Sequence, residues 1–153
     1  MLLKFMVIIP FRRLSEGKAK GKLGKINKKL NPKKEEKIIK TIRKEFKKIN
    51  IDIEKLLKES KDLRNIKKIE KTAKKVLKEI KKYIKSLKKL YGANLNRVYP
   101  EIIRLEKLIE NFYKILKEIK KKGSSVHLGR RYYMILNAIY KLWEMHKHKI
   151  SKT

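Results

Sequence analysis

The sequence predicts an all-α fold, a bundle of about four helices behind a basic, flexible N-terminal arm. Three observations carry this. Apolar residues recur at alternating spacings of three and four through long segments. Asparagine, proline and glycine stand where those segments would start and stop. No stretch shows the period of two that a half-buried strand needs, residues 5–9 being the one short run open to that reading. The 153 residues suffice for one domain. They divide into an arm, residues 1–31, and a single helical domain, residues 32–153.

Residues 1–11 are apolar apart from Lys4. Lys4 and the run that follows match part of a secretory signal, but Pro10-Phe11-Arg12-Arg13 lacks the small residues of a cleavage site. The run is also far short of the roughly 20 residues that cross a bilayer. Our reading is a segment that docks on the bundle or on a neighbouring subunit.

Residues 12–31 change character. After Arg12 and Arg13, Gly17, Gly21 and Gly24 alternate with Lys18, Lys20, Lys22, Lys25, Lys28 and Lys29. Each glycine disfavours helix by roughly 1 kcal/mol relative to alanine, and little here could form a core. Residues 1–31 hold nine basic side chains and one acid, the composition of an arm that follows a phosphate backbone. The glycines fit neither a phosphate-cradling loop nor a dinucleotide fingerprint.

Asn31-Pro32 opens the first helix, asparagine as N-cap and proline in the first turn. Its apolar face is Ile38, Ile39, Ile42, Phe46 and Ile49. The pattern falters at Asn50-Ile51-Asp52. Asp52 can cap a short second helix holding Ile53, Leu56 and Leu57, or one helix can run through; periodicity does not decide.

Residues 62–91 are expected to form one long helix of about 30 residues. Ile66, Ile69, Ala73, Val76, Ile80, Tyr83, Leu87 and Leu90 keep a 3-4 alternation through four heptads. Its three outward heptad positions hold Lys67, Lys68, Lys71, Lys74, Lys75, Lys78, Lys81, Lys82, Lys85, Lys88 and Lys89, with Glu70 and Glu79 only on the flanks. A like-charged pair four residues apart costs roughly 0.2–0.5 kcal/mol, so this face opposes its own helix by about 1–3 kcal/mol. A heat-adapted surface would enrich glutamate together with lysine. A covering polyanion explains an all-lysine face better. Thirty residues span about 45 Å, the length of roughly 13 base pairs.

Gly92 ends that helix and a loop over 92–99 follows. Pro100 starts the next, with Ile102, Leu105, Ile109, Phe112, Leu116 and Ile119 as its seam. Here acids and bases mix, as on an ordinary solvated face. A loop over 123–129 leads to a last helix, about 130–148, apolar around much of its circumference.

The net charge is +31 from 46 basic and 15 acidic residues. Only eight of the basic residues are arginine. Lysine is a mobile point charge, whereas arginine makes the forks that read guanine, so backbone binding without sequence readout is expected. There is no cysteine, hence no disulfide or thiolate metal site. Lysine and isoleucine excess without glutamine points to a heat-adapted intracellular protein, cytoplasmic and associated with nucleoid or nucleoprotein.

Nothing calls for catalysis, a cofactor or a metal. Glu106 and Glu110 alternate with lysines at salt-bridging spacing. His146 and His148 are two apart and share no helix face, so they read as basic tail residues. Tyr132, Tyr133, Tyr140 and Trp143 have core spacing, while Tyr91 and Tyr99 near Arg97 are better placed to stack on bases. Arg130 and Arg131, at a loop entering a helix, are a candidate phosphate site.

The expected function is sequence-non-specific nucleic-acid binding through the lysine face, the arm, Arg130 and Arg131, with DNA favoured over RNA. Self-association through apolar helix faces suits repeated assembly on one polymer. An anionic membrane fits poorly, because no apolar rim borders the lysines. Docking to RNA, a ribosome or an acidic protein is the other reading. The plan, an apolar bundle with a basic arm at its start, resembles in architecture the DNA-wrapping coat proteins of filamentous archaeal viruses; no motif matches residue by residue. That resemblance implies an arm that wraps DNA or clasps a neighbour.

Overall fold

The computed structural model of the chain describes residues 31–123 and 125–152. These form four long helices: α1 (Pro32–Glu59), α2 (Ile66–Tyr91), α3 (Pro100–Lys122) and α4 (Val126–Lys152). No strand occurs among the described residues. Residues 1–30, and with them the arm and the stretch open to a strand reading, lie outside the described residues.

Each junction has a local cause. The Asn31 side chain accepts a hydrogen bond from the Lys34 amide (2.8 Å), and Pro32 follows where its missing N–H costs nothing. The helix then runs unbroken through Asn50-Ile51-Asp52. Asp52 caps nothing; it sits in mid-helix, turned inward and buried. Asp62 instead caps a 3-10 turn, Leu63–Asn65, by accepting from the Arg64 amide. α2 therefore begins at Ile66 rather than at residue 62, and its 26 residues span about 39 Å. Gly92 and Gly123 end α2 and α3 with φ of 59° and 77°, a region that side chains disfavour.

Two expected loops are mostly helical. Residues 92–99 hold a 3-10 turn (Gly92–Asn94) and one α-turn (Leu95–Val98). α4 starts at Val126, where Ser125 accepts from the Leu128 amide (3.1 Å), so Gly129 lies inside the helix.

Ion pairs fix the directions. Asp52 meets Lys75 and Glu79 meets Lys48 between α1 and α2, Lys120 meets Glu70 between α3 and α2, and Arg131 meets Glu118 between α4 and α3. Lys48–Glu79 with Asp52–Lys75, Glu70–Lys120 with the Tyr91–Tyr99 ring contact, and Glu118–Arg131 with Glu101–His146 each set a rising number against a falling one, so neighbours are antiparallel. α1 and α4 close the ring through large side chains. Trp143 Nε1 donates to Asn50 Oδ1 (2.9 Å), Tyr132 donates to the Ser60 carbonyl (2.8 Å), and Phe46 packs on Trp143. α2 and α4 are thus diagonal, and their outer sides face opposite ways.

The predicted seams form the core. Ile42, Phe46, Ile49 and Ile53 of α1 meet Ile69, Ala73, Val76, Ile80 and Leu87 of α2 and Ile102, Leu105, Ile109 and Phe112 of α3, all fully buried. Tyr132 and Trp143 are core residues as their spacing suggested, whereas Tyr133 and Tyr140 are exposed. Tyr91 and Tyr99, the candidates for base stacking, are buried and pack edge to face.

His146 is a further correction. It is wholly buried, enclosed by Phe46, Tyr83, Tyr99 and Trp143. Nδ1 lies 2.6 Å from Glu101 Oε2 and Nε2 lies 2.7 Å from the Tyr83 hydroxyl. Lys149 donates to the other Glu101 oxygen at 2.8 Å. One tautomer satisfies all three groups: Nδ1–H donates to the carboxylate and Nε2 accepts from Tyr83. Burial pushes His146 below the ordinary imidazole range against the opposing pull of Glu101. Burial also pushes Glu101 up, but the hydrogen bonds from His146 and Lys149 outweigh it and hold the carboxyl below its usual value.

Removing one partner strands the others in the core. His146→Ala is expected to lower unfolding free energy by about 3–5 kcal/mol, and Tyr83→Phe by about 1–2 kcal/mol, read by urea denaturation. Because folded His146 resists protonation, the unfolded chain takes up the extra proton as pH falls through the ordinary value of 6.5. Glu101 adds to the loss below its ordinary 4.5. The contribution of this contact to stability should therefore decline on acidification below about pH 6.5, and a His146→Gln variant should lose the upper part of that dependence.

Candidate nucleic-acid interface

The seam of α2 is buried from Ile69 to Leu90, and this decides where its other side points. All eleven lysines on that side are exposed. Lys75 pairs with Asp52 at 3.5 Å; among the described residues the other ten make no ion pair. The two acids of α2 are turned aside. Glu70 reaches Lys120 on α3 at 3.1 Å. Glu79 is buried toward α1, with Lys48 at 3.9 Å. The lysines therefore lie along about 39 Å of helix, with the carboxylates of Glu70 and Glu79 at its edges.

At the α1 border Glu45, Lys48, Lys75, Lys78, Glu79 and Lys82 line a cleft of about 310 Å³. Asp52, also buried, is a neighbour of Glu79. Glu79 is pushed up to about 7, chiefly by burial and further by Asp52, against the pull of Lys48 and Lys75. Near neutral pH this carboxyl only partly neutralises the cleft.

The remaining candidates divide. Arg130 and Arg131 are exposed, but they lie in the second turn of α4, beyond the free amides at its start. Arg131 is 3.9 Å from Glu118. The helix-entry phosphate site is therefore not assembled as expected, since the helix begins four residues earlier than its apolar pattern implied. Arg12, Arg13, Lys18, Lys20, Lys22, Lys25, Lys28 and Lys29 lie outside the described residues. With Tyr91 and Tyr99 buried, the stacking platform expected there is absent. Among the described residues no group of three or more His, Asp or Glu could hold a metal ion, and no helix is long and apolar enough to cross a membrane.

The Asp52–Glu79 pair was missed in the sequence, although both residues sit within apolar stripes. Asp52 lies between Ile49 and Ile53, and Glu79 adjoins Ile80. An acid at a seam position was the available signal.

Comparison of the chain with family models, curated proteins and solved structures yields no match.

A raised carboxyl pKa means that the folded state holds its proton longer than the unfolded chain. Stability contributed by protonated Glu79 is present at low pH and is lost as pH rises from about 4.5 through about 7. Glu79→Gln should thus be more stable than the native chain at pH 8, with the difference shrinking toward pH 5. Thermal unfolding at the two pH values checks this.

Proposed function

We propose that this bundle binds nucleic acid without sequence preference, laying the lysine side of α2 along a phosphate backbone and coating or compacting DNA. One observation carries the reading: eleven exposed lysines on one helix side, ten of them without an ion pair among the described residues. Such a surface repels itself until an external polyanion neutralises it. The length supports it too, since about 39 Å matches roughly 11 base pairs of duplex. Each lysine that meets a phosphate releases a counterion, so affinity follows salt concentration rather than sequence.

The partner enters as a chain of phosphates, not as bases. Lysines without a shared plane or fork do not discriminate base edges. The described aromatic side chains on α2, Tyr83 and Tyr91, are in the core and offer no stacking surface. DNA is favoured over RNA because a rigid helix with evenly placed charges suits a uniform duplex; the arm, residues 1–31, adds contacts on the same polymer.

The test is a titration with duplex DNA, single-stranded RNA, anionic vesicles and heparin across salt concentrations. Affinity for duplex should fall roughly 10³–10⁵-fold between about 50 and 200 mM salt if six to ten phosphates are met. A preference for vesicles or for heparin over duplex would sink the reading.

Reversing Lys74, Lys78, Lys81 and Lys85 to Glu should weaken duplex binding by roughly 100-fold or more at about 100 mM salt. Helical circular dichroism should persist and stability should hold or rise, because like-charge pairs are removed. Removal of residues 1–31 should weaken binding several-fold and leave the helical signal intact.

A further inference from the structure

The outer side of α4 is unlike the rest of the surface. Six large hydrophobic side chains are exposed among the described residues, and five of them are on this helix: Val126, Tyr133, Met134, Tyr140 and Met145. Met134 is 72% exposed and Tyr133 51%. At about 100° per residue, Val126, Arg130, Tyr133, Asn137, Glu144 and His148 fall within about 40° of one line, with Met134 and Tyr140 flanking it. Lysine, dense elsewhere, enters this line only at Lys141. A stripe of this kind on a chain of net charge +31 calls for an apolar neighbour.

We propose that the neighbour is a second copy of this chain, its α4 lying antiparallel with Asn137 on the two-fold axis. The charges along the stripe select this partner. Arg130 is seven residues before Asn137 and Glu144 seven after. Reversing the helix about that centre sets Arg130 of each copy against Glu144 of the other, twice by symmetry. A parallel pair would instead set Arg130 on Arg130 and Glu144 on Glu144, like charge on like. The antiparallel register also brings Tyr133 beside the second copy's Tyr140 on one flank, and Met134 beside the aliphatic stem of Lys141 on the other. Asn137 meets its own copy at the centre, where two amides can exchange hydrogen bonds and fix register.

Both charges are free to do this. Among the described residues Glu144 is held by an i,i+3 contact with Lys147 at 2.6 Å, a kind of pair worth little. Arg130 makes no ion pair among the described residues and lines a shallow cleft with Tyr133, Met134 and Asn137. Glu144 lines a second cleft with Lys141, Met145 and His148. The two clefts lie on either side of Asn137 and exchange places under the two-fold.

This dimer does not rest on the nucleic-acid reading, and its salt dependence has the opposite sign. Two copies of a +31 chain repel, and salt screens that repulsion over a Debye length of about 8 Å at 0.15 M and 3 Å at 1 M. Phosphate binding weakens with salt; pairing through α4 strengthens. Because α2 is diagonal to α4, the dimer carries its two lysine sides outward.

Sedimentation of the full chain in about 0.5 M salt should give twice the 18.4 kDa chain mass. Arg130→Glu and Glu144→Arg should each weaken the dimer roughly tenfold or more, about 1.4 kcal/mol, and the double reversal should restore it. The native chain has no cysteine, so an introduced thiol reports its own neighbours. With oxidised glutathione as oxidant, Asn137→Cys should link to itself. Val126→Cys and His148→Cys should link when mixed but not alone. A monomer at every salt concentration overturns the proposal, whether residues 1–11 cover α4 or nothing does. So does a dimer indifferent to the single reversals, or Val126→Cys linking to itself.

Discussion

Burial of the α2 seam against its neighbours sets the terms for the rest of the molecule. The lysines outside repel one another along the helix, and nothing local offsets that. What holds the helix is the row from Ile69 to Leu90, closed off from solvent by α1, α3 and, through His146, α4. Apolar burial contributes roughly 25 cal/mol per Å², so a few fully buried side chains outweigh the 1–3 kcal/mol of like-charge cost.

The acidic side chains show the same division. Glu59 accepts from Thr72, Glu70 meets Lys120, Asp52 meets Lys75, Glu79 meets Lys48, and Glu101 joins His146 and Lys149. These carboxylates sit between helices and fix which helix lies against which. Those on α2 are used sideways, and ten of its eleven outer lysines make no ion pair among the described residues. A chain with three times as many bases as acids thus uses acids as internal connectors. Two of the connectors are sensitive to pH in opposite senses. The His146–Glu101 contact weakens the fold on acidification, while Glu79 weakens it as pH rises toward and past 7.

Opposite sides of the bundle carry different chemistry. The α2 side is cationic, and the α4 side carries exposed apolar side chains with Arg130 and Glu144 placed evenly about Asn137. The proposed surface for a polymer on one side and the proposed surface for a second copy on the other would suit a protein that accumulates along a strand. Each proposal stands on separate residues, and salt is expected to move the two in opposite directions.

Helix number, type and seam were legible in the sequence because burial demands a period near 3.6, and the apolar residues display it. So were the caps at Asn31 and Gly92, whose backbone preferences are local. The exposure of the eleven lysines followed from the same period. The fate of polar residues inside the stripes was not legible. His146 stands four before Ile150 and three after Trp143, in core register, yet its sequence neighbours Lys147, His148 and Lys149 read as a basic tail. Asp52 read as a cap, and Tyr91 and Tyr99 as candidates for base stacking. Arg130 and Arg131 read as a helix entrance because the apolar pattern of α4 starts later than its backbone does. For His146 and Asp52 the outcome turned on partners far along the chain, Glu101 for the first and Glu79 and Lys75 for the second. Period and caps are properties of a segment, and the sequence by itself determined them. Pairing of buried polar groups is a property of which segments pack together, and only the tertiary structure decided it.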